Sequence, residues 1–376
     1  MIDLNRYILK QTLKDLEKKM VFIAGPRQAG KTTFSTNILN NNKGYYYNWD
    51  DSNDREIILK GQWPPEKKII LILDEIHKQR NWKSLIKGLY DKKKEDFKIL
   101  VTGSAKLDVL RKGGDSLQGR YHLIRLHPLS LKEIPGANPG TLLDLMKYGP
   151  FPEPFLAQDE IEARRWRKEY RSRLIRDDVR DLEDVSHLDK MEKLVMRLPE
   201  LVGSGLSLNS LKEDLSISHE TVVRYLSILE NLYGIFRIYP FTHSKFNSIK
   251  KMSKHYHYDY ALIEDEGIKF ENLIASHLFK HCHFIEDTEG HDMQLCYYRD
   301  KEKREVDFIV IKNRKPLLFV EAKKSDHNIS LGLSYLKKKF PAVECIQVVL
   351  ESDKDYINND NIRVQNAFSF LKNLSC

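Results

Sequence analysis

The feature that most constrains the fold is an apolar segment that runs directly into a glycine-containing loop and then into a helical pattern. The segment reads MVFIAGPRQAGKTTF and matches G-x-x-x-x-G-K-[ST]. In such a loop, backbone N–H groups surround the phosphates, which lie at the positive end of the next helix. A chance glycine loop is the alternative, but strand, loop and helix stand in the required order. The residues predicted to bind nucleotide are Gly25, Pro26, Arg27, Gln28, Ala29, Gly30, Lys31, Thr32 and Thr33.

A second motif, KKIILILDEIH, predicts the partner of this loop. Five apolar residues, Ile69 to Leu73, fit a strand buried on both faces of a parallel sheet, and Asp74 and Glu75 follow at its carboxyl end. Open α/β sheets place their chemistry at that edge. We expect Lys31 to reach the β and γ phosphates, Thr32 and Asp74 to hold Mg²⁺, and Glu75 to act as general base. Solvation of an acidic pair is the alternative, and the pairing with Lys31 favours catalysis.

A third strand, FKILVTGSAKL, follows at βαβ spacing and ends near Thr102 and Ser104. A hydroxyl there can touch the γ phosphate or the attacking water, and Ser104 is a predicted catalytic residue. The loop GGDSLQGRY then brings Arg120. Arg120 can neutralise charge that develops on the γ phosphate, in its own subunit or in a neighbour. A surface arginine is an equally open interpretation.

The middle of the chain is dense in charge and then helical. The segment RRWRKEYRSRLIRDDVRDLE, from Arg164 to Glu183, is predicted to connect domains. Its arginines can line a groove for phosphates, although a helix with i, i+4 ion pairs and one apolar side is favoured. Three helices and a strand follow, in MEKLVMRLPELVG, NSLKEDL, HETVVRYLSILENLYG and IFRIYPF. This is the order of a winged helix-turn-helix.

In the third of these helices, Val222, Leu226 and Leu229 recur at helical spacing and predict a buried face. Thr221 and Arg224 would then face outward and are the residues predicted to contact nucleic acid. Because this face is poor in base-reading residues, a structural or protein-contacting role stays open.

The last third alternates helix and strand patterns. KHYHYDYALI predicts a strand with a turn, IKFENLIASHLFKHC an amphipathic helix with Glu271, and MQLCYYRD and EVDFIVIKNRKPLLFVEAKK three strands. A helix that closes at 337–340 and the strand CIQVVLES complete the order helix, three strands, helix, strand.

Within the hairpin EVDFIVIKNRKPLLFVEAKK, period-two alternation places Glu305 and Asp307 on one face, and Glu321 and Lys323 share a face of the next strand. One register therefore brings the charges together. Asp307 and Glu321, completed by Glu271, are predicted metal ligands, and Lys323 is predicted to orient or deprotonate a nucleophile. Charges alternating on a half-exposed strand are the alternative.

Composition limits the class of protein. The 376 residues allow two or three domains, and no apolar run approaches the length of a membrane span. Four scattered cysteines give no disulfide or zinc pattern, and the first residues do not resemble a signal peptide, so a cytoplasmic protein without a membrane partner is expected. The net charge of +8 suits a polyanionic partner, and solvated lysine faces are the alternative.

The succession GPRQAGKTT, LILDEIH, VTGSAKL, SLQGR, HPLSLKEI and YGPFPEP resembles AAA+ superfamily ATPases of bacteria and archaea that carry a carboxyl-terminal domain of unknown function. The resemblance covers nearly the whole chain and implies ATP hydrolysis. The hairpin resembles the PD-(D/E)xK nuclease signature, with Asp307 as its aspartate, Glu321 and Lys323 as its E-x-K, and Glu271 as its helical acid. Val306 stands where the signature has proline.

These observations predict an α/β protein of three parts. Residues 1–163 would be a P-loop AAA+ ATPase domain, 164–250 a connector helix with a winged helix-turn-helix, and 251–376 a restriction-endonuclease-like α/β domain. ATP and Mg²⁺ are the expected cofactors, a homo-oligomer is the expected assembly, and DNA is expected before RNA as partner of the rear domains. The alternative is a regulatory or adaptor ATPase that binds a protein or nucleic acid without cutting.

Overall fold

The computed structural model describes residues 6–103, 117–175, 188–241, 252–325 and 328–376. The chain divides into two compact units, Met1–Pro128 and Leu129–Cys376. The finer predicted boundaries, after residues 163 and 250, stay predictions. Among the described residues, no helix has both the length and the apolar character to cross a membrane.

The amino-terminal unit is built on a sheet of five parallel strands in the order β2-β3-β4-β1-β5. Its strands are β1 (Met20–Ala24), β2 (Gly44–Asn48), β3 (Ile69–Asp74), β4 (Phe97–Thr102) and β5 (Tyr121–Arg125). Its helices are α1 (Leu9–Leu16), α2 (Lys31–Leu39), α3 (Ser52–Lys60) and α4 (Trp82–Lys93). The three strands predicted from apolar runs are confirmed as β1, β3 and β4.

Both faces of this sheet are covered, which is why its central strands are apolar throughout. On one face Phe22 and Leu71 pack in a core with Trp82. On the other face Ile23 and Ile72 pack in a core that includes Phe34 of α2. Because all five strands run the same way, their carboxyl ends lie along one edge, where loops can assemble a site.

The carboxyl-terminal unit contains an eight-stranded sheet in the order β12-β13-β11-β10-β9-β8-β6-β7. Its strands are β6 (Ile235–Pro240), β7 (Lys254–His257), β8 (Met293–Arg299), β9 (Glu305–Lys312), β10 (Lys315–Ser325), β11 (Glu344–Glu351), β12 (Asp355–Ile357) and β13 (Arg363–Asn366). Its described helices are α5 (Pro139–Tyr148), α6 (Pro152–Ala157), α7 (Glu160–Arg173), α8 (Leu188–Arg197), α9 (Leu208–Leu215), α10 (His219–Asn231), α11 (Glu266–Glu289), α12 (Leu331–Lys339) and α13 (Ala367–Asn373).

The predicted order of helix, three strands, helix and strand is confirmed as α11, β8, β9, β10, α12 and β11. Strands β8, β9 and β10 are antiparallel neighbours, and β10 pairs in parallel with β11. The name of the fold, restriction-endonuclease-like, stays a prediction.

The middle elements also follow the predicted order, as α8, α9, α10 and β6. Strand β6 pairs with β7 and β8, so it is part of the large sheet. The winged-helix interpretation of these elements stays a prediction. In α7, Arg164 and Arg173 pair with glutamates four residues earlier and Trp166 is buried, which confirms the ion-paired helix for residues 160–173. The rest of the predicted connector, 176–183, lies outside the described residues.

Candidate functional site

The predicted phosphate loop lies between the end of β1 and the start of α2. Gly25 is required by a close approach, because a Cβ there would come 2.2 Å from the carbonyl oxygen of Leu126. Gly30 has φ of 91°, a left-handed conformation that favours glycine. The N-cap of α2 is Gly30, which has no side chain to bind the first N–H groups of the helix. The amino terminus of such a helix attracts phosphate oxygens.

Lys31 is buried at the base of this loop. Its Nζ donates hydrogen bonds to the carbonyl oxygens of Gly25, at 2.9 Å, and Pro26, at 2.7 Å. The ammonium is thereby held against the loop backbone, on the elements that would surround a phosphate chain. A phosphate oxygen carries more negative charge than a carbonyl, so exchange of these partners on nucleotide binding is favourable.

Asp74, at the carboxyl end of β3, accepts hydrogen bonds from three hydroxyl groups. Thr32 Oγ1 lies 2.8 Å and Tyr46 Oη 2.7 Å from its Oδ2, and Thr102 Oγ1 donates to its Oδ1. The predicted pair of Thr32 and Asp74 is therefore brought together. A hydroxyl joined to a carboxylate beside a phosphate loop is a donor set that suits Mg²⁺.

Glu75 follows in a left-handed backbone conformation, with φ of 56°. Such a conformation is strained for a residue with a side chain and often marks a functional position. Burial raises the pKa of Glu75, while Lys31 and Lys78 oppose the rise. The Lys78 Nζ lies 3.4 Å from its Oε2. A buried carboxylate with a raised pKa, close to the loop lysine, has the properties of a general base.

Arg120 lies at the other edge of the sheet. Its carbonyl oxygen accepts from the N–H of Met20, at the start of β1, whereas the phosphate loop follows the end of that strand. A strand of this length separates the two edges by about 16 Å. The Arg120 guanidinium binds Asp91, with Nε 2.8 Å from Oδ1. This placement favours a role in a neighbouring subunit over one in its own subunit, and the catalytic role of Arg120 stays a prediction. Ser104 lies outside the described residues.

A second group of charged side chains lies on β9, β10 and α11. Phe308 pairs with Val320, and one step further along this register Asp307 lies opposite Glu321. The Asp307 N–H donates to Glu321 Oε2 at 3.4 Å, and Lys323 Nζ lies 2.8 Å from Glu321 Oε1. The register anticipated from period-two alternation is confirmed.

Lys254, at the start of β7, lies in the same group and was not anticipated. Its Nζ lies 2.6 Å from Glu305 Oε1, 3.6 Å from Glu271 Oε1 and 3.9 Å from Asp307 Oδ1. Burial alone would lower the pKa of Lys254, but these three carboxylates outweigh it and the pKa is raised. The signal in the sequence was weak, because Lys254 precedes the helix and hairpin that carry its partners.

The acids of this group are difficult to ionise together. Burial, reinforced by the charge of Asp307, raises the pKa of Glu271 and of Glu321 to about 7. Glu271 also accepts from Tyr256 Oη at 2.7 Å, and Asp307 Oδ2 accepts from the Ala322 N–H at 3.0 Å.

The donor set of this group does not fit a divalent metal as it is arranged. In the described ranges, no three His, Cys, Asp or Glu side chains form a group that can hold a metal ion. The carboxylates of Glu271, Asp307 and Glu321 instead contact Lys254, Lys323 or backbone N–H groups. Their predicted metal role stays a prediction, and it requires a rearrangement of these contacts.

On α10, Val222, Leu226 and Leu229 are buried, as predicted. Arg224 is exposed, whereas Thr221 is half-buried and its hydroxyl lies 3.0 Å from that of Ser218, which caps the helix. Contact of Thr221 and Arg224 with nucleic acid stays a prediction.

Comparison with known proteins divides the chain into three ranges. Residues 17–135 match the model of a family described as AAA domain. Residues 140–265 and 266–369 match two domains of unknown function, DUF8612 and DUF4143.

Similar proteins occur in archaea and bacteria. The uncharacterized protein MJ1544 of Methanocaldococcus jannaschii is 24% identical over 343 residues, which cover 82% of this chain and 76% of that protein. An uncharacterized protein of Haemophilus influenzae is 24% identical over 292 residues, covering 68% and 72% of the two chains.

Two solved structures are similar to the chain at low scores. The Walker-type ATPase PABY2304 of Pyrococcus abyssi has a TM-score of 0.47 and 14% identity, over 70% of this chain and 95% of that one. The RuvB Holliday junction branch migration motor of Thermotoga maritima has a TM-score of 0.32 and 16% identity, over 62% and 90%. At these TM-scores the two structures carry no argument about the function of this chain.

The family match and the geometry agree on one part of the chain. The matched range contains the loop around Lys31 and also the Asp74–Glu75 pair that meets it. By sequence match and by geometry, residues 17–135 resemble an AAA-type P-loop ATPase domain.

Proposed function

We propose that the amino-terminal domain hydrolyses ATP with Mg²⁺, and that its nucleotide state controls a nucleic-acid-binding, nuclease-like module in the rest of the chain. The observation that carries the first half is the hydrogen bond of 2.8 Å between Thr32 Oγ1 and Asp74 Oδ2. It joins the phosphate loop to the acidic strand end in one centre, beside Glu75.

Each residue has a distinct part in this reaction. The loop N–H groups and Lys31 bind the phosphate chain, and Thr32 and Asp74 would hold a Mg²⁺ ion that neutralises its charge. Glu75 takes the proton of the attacking water, for which its raised pKa and its place next to Asp74 suit it. Thr102 fixes the orientation of the Asp74 carboxylate from β4.

The second half of the proposal rests on the carboxyl-terminal unit. Its order of elements and the convergence of Glu271, Asp307, Glu321 and Lys323 support a nuclease-like module. The exposed Arg224 on α10 and the net charge of +8 favour a nucleic acid as partner. Of the two nucleic acids, we favour DNA over RNA. We place the protein in the cytoplasm as a homo-oligomer, in which Arg120 of one subunit serves the nucleotide of the next.

Two variants test the ATPase centre. Lys31→Ala should abolish nucleotide binding, because it removes the cation that meets the β and γ phosphates. Glu75→Gln should keep binding and lose turnover, because an amide cannot accept the proton of water. Binding of a fluorescent ATP analogue and release of phosphate measure the two steps. Normal hydrolysis by both variants would refute the assignment of the site.

A second candidate function is an ATPase whose carboxyl-terminal unit binds a partner without cutting. The specific observation in its favour is the Lys254 ammonium among the carboxylates that a nuclease would use for metal. A positive charge at that position opposes a divalent ion.

Nucleic-acid assays distinguish the two candidates. Single- and double-stranded DNA and RNA are incubated with the protein, Mg²⁺ or Mn²⁺, and ATP, ADP or no nucleotide. The module proposal expects binding that differs between ATP and ADP and weakens with salt. Cleavage that Asp307→Asn abolishes would establish a nuclease, and cleavage that survives this change would identify a contaminant. Binding without cleavage would establish the second candidate, and no binding at any salt concentration would refute both nucleic-acid roles.

A further inference from the structure

The carboxyl-terminal unit buries the ammonium of Lys254 among acidic side chains. Only 4% of the Lys254 side chain is exposed, and its Nζ lies within 4 Å of carboxylates of Glu271, Glu305 and Asp307. A buried ammonium is costly unless charged partners surround it. Here the partners include two of the acids that a nuclease of this arrangement would need.

The ammonium is held in position by the sheet. Lys254 pairs with Ile238 of β6, and its Nζ lies 5.5 Å from the centre of the Tyr297 ring, over the ring face. Tyr256, two residues further along β7 and on the same face of the strand, donates to Glu271. Strand β7 therefore supplies two donors to this cluster, one of them charged.

Lys323, the lysine that the sequence motif predicts, occupies a different environment. Its side chain is 41% exposed, and the one carboxylate within 4 Å of its Nζ, among the described residues, is that of Glu321. The cluster thus has a lysine at its rim, able to meet a substrate, and another in its interior that neutralises the acids.

We propose that the Lys254 ammonium is the resident cation of this cluster, and that a divalent ion binds Glu271 and Asp307 only after that ammonium has left. The inference rests on the proposed function for its choice of site, but it concerns cation occupancy and not cleavage. Ammonium and divalent ion are alternatives because both need the same carboxylate oxygens and repel each other at contact distance. The native cluster is accordingly complete without metal.

Binding of Mn²⁺ alone, followed by electron paramagnetic resonance on the full chain without nucleotide, tests this exclusion. Wild type and Asp307→Asn should bind Mn²⁺ equally, because the carboxylate is not available to the ion. Lys254→Met should gain one Mn²⁺ site that wild type lacks. The double variant Lys254→Met/Asp307→Asn should lose it again, which separates this site from weak binding at Asp74.

Lys254→Arg is the matched control, since it keeps the positive charge and should gain no site. Circular dichroism establishes that each variant is folded. A folded Lys254→Met variant that gains no Asp307-dependent Mn²⁺ would overturn the inference.

An Asp307-dependent Mn²⁺ site in the wild-type protein would overturn it as well, and that comparison decides the question even where Lys254→Met does not fold. Either result leaves the ATPase and nucleic-acid proposals standing. Failure of the protein to bind nucleic acid, in turn, leaves the Mn²⁺ comparison intact.

Discussion

The carboxylate of Asp74 accepts hydrogen bonds from three residues that are distant in the sequence. Thr32 and Thr102 come from motifs that the sequence displays, a phosphate loop and the end of a buried strand. Tyr46 comes from β2, whose sequence GYYYN carries no motif. Because three tyrosines are adjacent, the sequence does not indicate which of them contacts Asp74. That depends on the pairing of Tyr46 with Ile72 of β3, which is set by the sheet as a whole.

Tyr46→Phe should weaken the binding of Mg²⁺ that supports ATP hydrolysis. The change removes only the hydroxyl that donates to Asp74 Oδ2. A hydrogen bond to a charged group contributes about 1.5 kcal/mol or more, so the half-saturating Mg²⁺ concentration should rise about tenfold. Steady-state hydrolysis at varied Mg²⁺ measures it.

Tyr45→Phe is the matched control for this change, since the Tyr45 hydroxyl contacts the exposed side chain of Glu66. It should hydrolyse ATP as wild type does. Equal magnesium curves for Tyr46→Phe and wild type would show that Asp74 is held well enough by Thr32 and Thr102.

For single helices and strands, prediction from the sequence worked best where the periodicity of side chains within one element determines which face they occupy. The alternation of β9 and β10 gave the face of Asp307 and Glu321, because side-chain direction in a strand depends only on parity. It could not place Lys254, because that position depends on the pairing of β7 with β6 and on the packing of α11 against β7. The same limit applies to Arg120, since a loop sequence does not state at which edge of a sheet the loop lies.

Helix α11 has a polar interior contact that the predicted amphipathic pattern did not reveal. Lys280 is buried and binds Glu133 and the hydroxyl of Ser130, the latter at 3.0 Å. Ser130 and Glu133 also form a capping box, so the pair is part of a hydrogen-bonded group. This contact fixes α11 to the turn at residues 131–133.

Lys280→Met should destabilise the carboxyl-terminal unit strongly, because it leaves the buried Glu133 carboxylate without its cation. Removal of one partner of a buried ion pair costs about 3–5 kcal/mol. Hydrogen exchange of α11 peptides in mild urea reports this loss locally. Lys324→Met, which breaks a surface pair with Glu266, should leave the same peptides unchanged. Equal protection of α11 in both variants would contradict the assigned role of the pair.

For the whole molecule, composition and motif order anticipated an α/β chain of more than one compact unit. The parallel sheet followed from buried apolar strands separated by helices, and β1, β3 and β4 were found in this way. Strands β2 and β5 were missed because tyrosines and a histidine interrupt their apolar character. The large sheet was only partly foreseen, since it joins strands from the middle and the end of the chain.

The carboxyl-terminal unit should lose stability in mild acid through buried neutral histidines. Burial lowers the pKa of His255 and His277 to about 4 and of His257 to about 3. The unfolded chain binds these protons near pH 6.5, so the stabilising contribution is complete above that pH and falls as pH decreases toward 4. Each histidine removes up to about 1.4 kcal/mol per pH unit.

The raised pKa values of Glu271 and Glu321 act in the opposite direction, because protonation of these acids stabilises the folded state as pH falls. The variant His277→Gln therefore serves to isolate the contribution of one histidine. In the native state His277 Nε2 accepts from the Leu131 N–H at 3.1 Å, a contact that protonation destroys. Thermal unfolding followed by circular dichroism at pH 7.5 and pH 5 should show a smaller acid loss for the variant than for wild type. Equal losses would mean that His277 does not titrate in this interval.

One contact in the amino-terminal unit joins a side chain to two backbone carbonyl oxygens. The Arg6 guanidinium donates to the carbonyl oxygens of Ala29, at 2.6 Å, and His127, at 2.5 Å. Both acceptors are backbone atoms, which every amino acid provides. A substitution at position 29 or 127 keeps the acceptor atom of this link, although both side chains are buried and limit what fits there. A single substitution of Arg6, in contrast, removes both bonds at once.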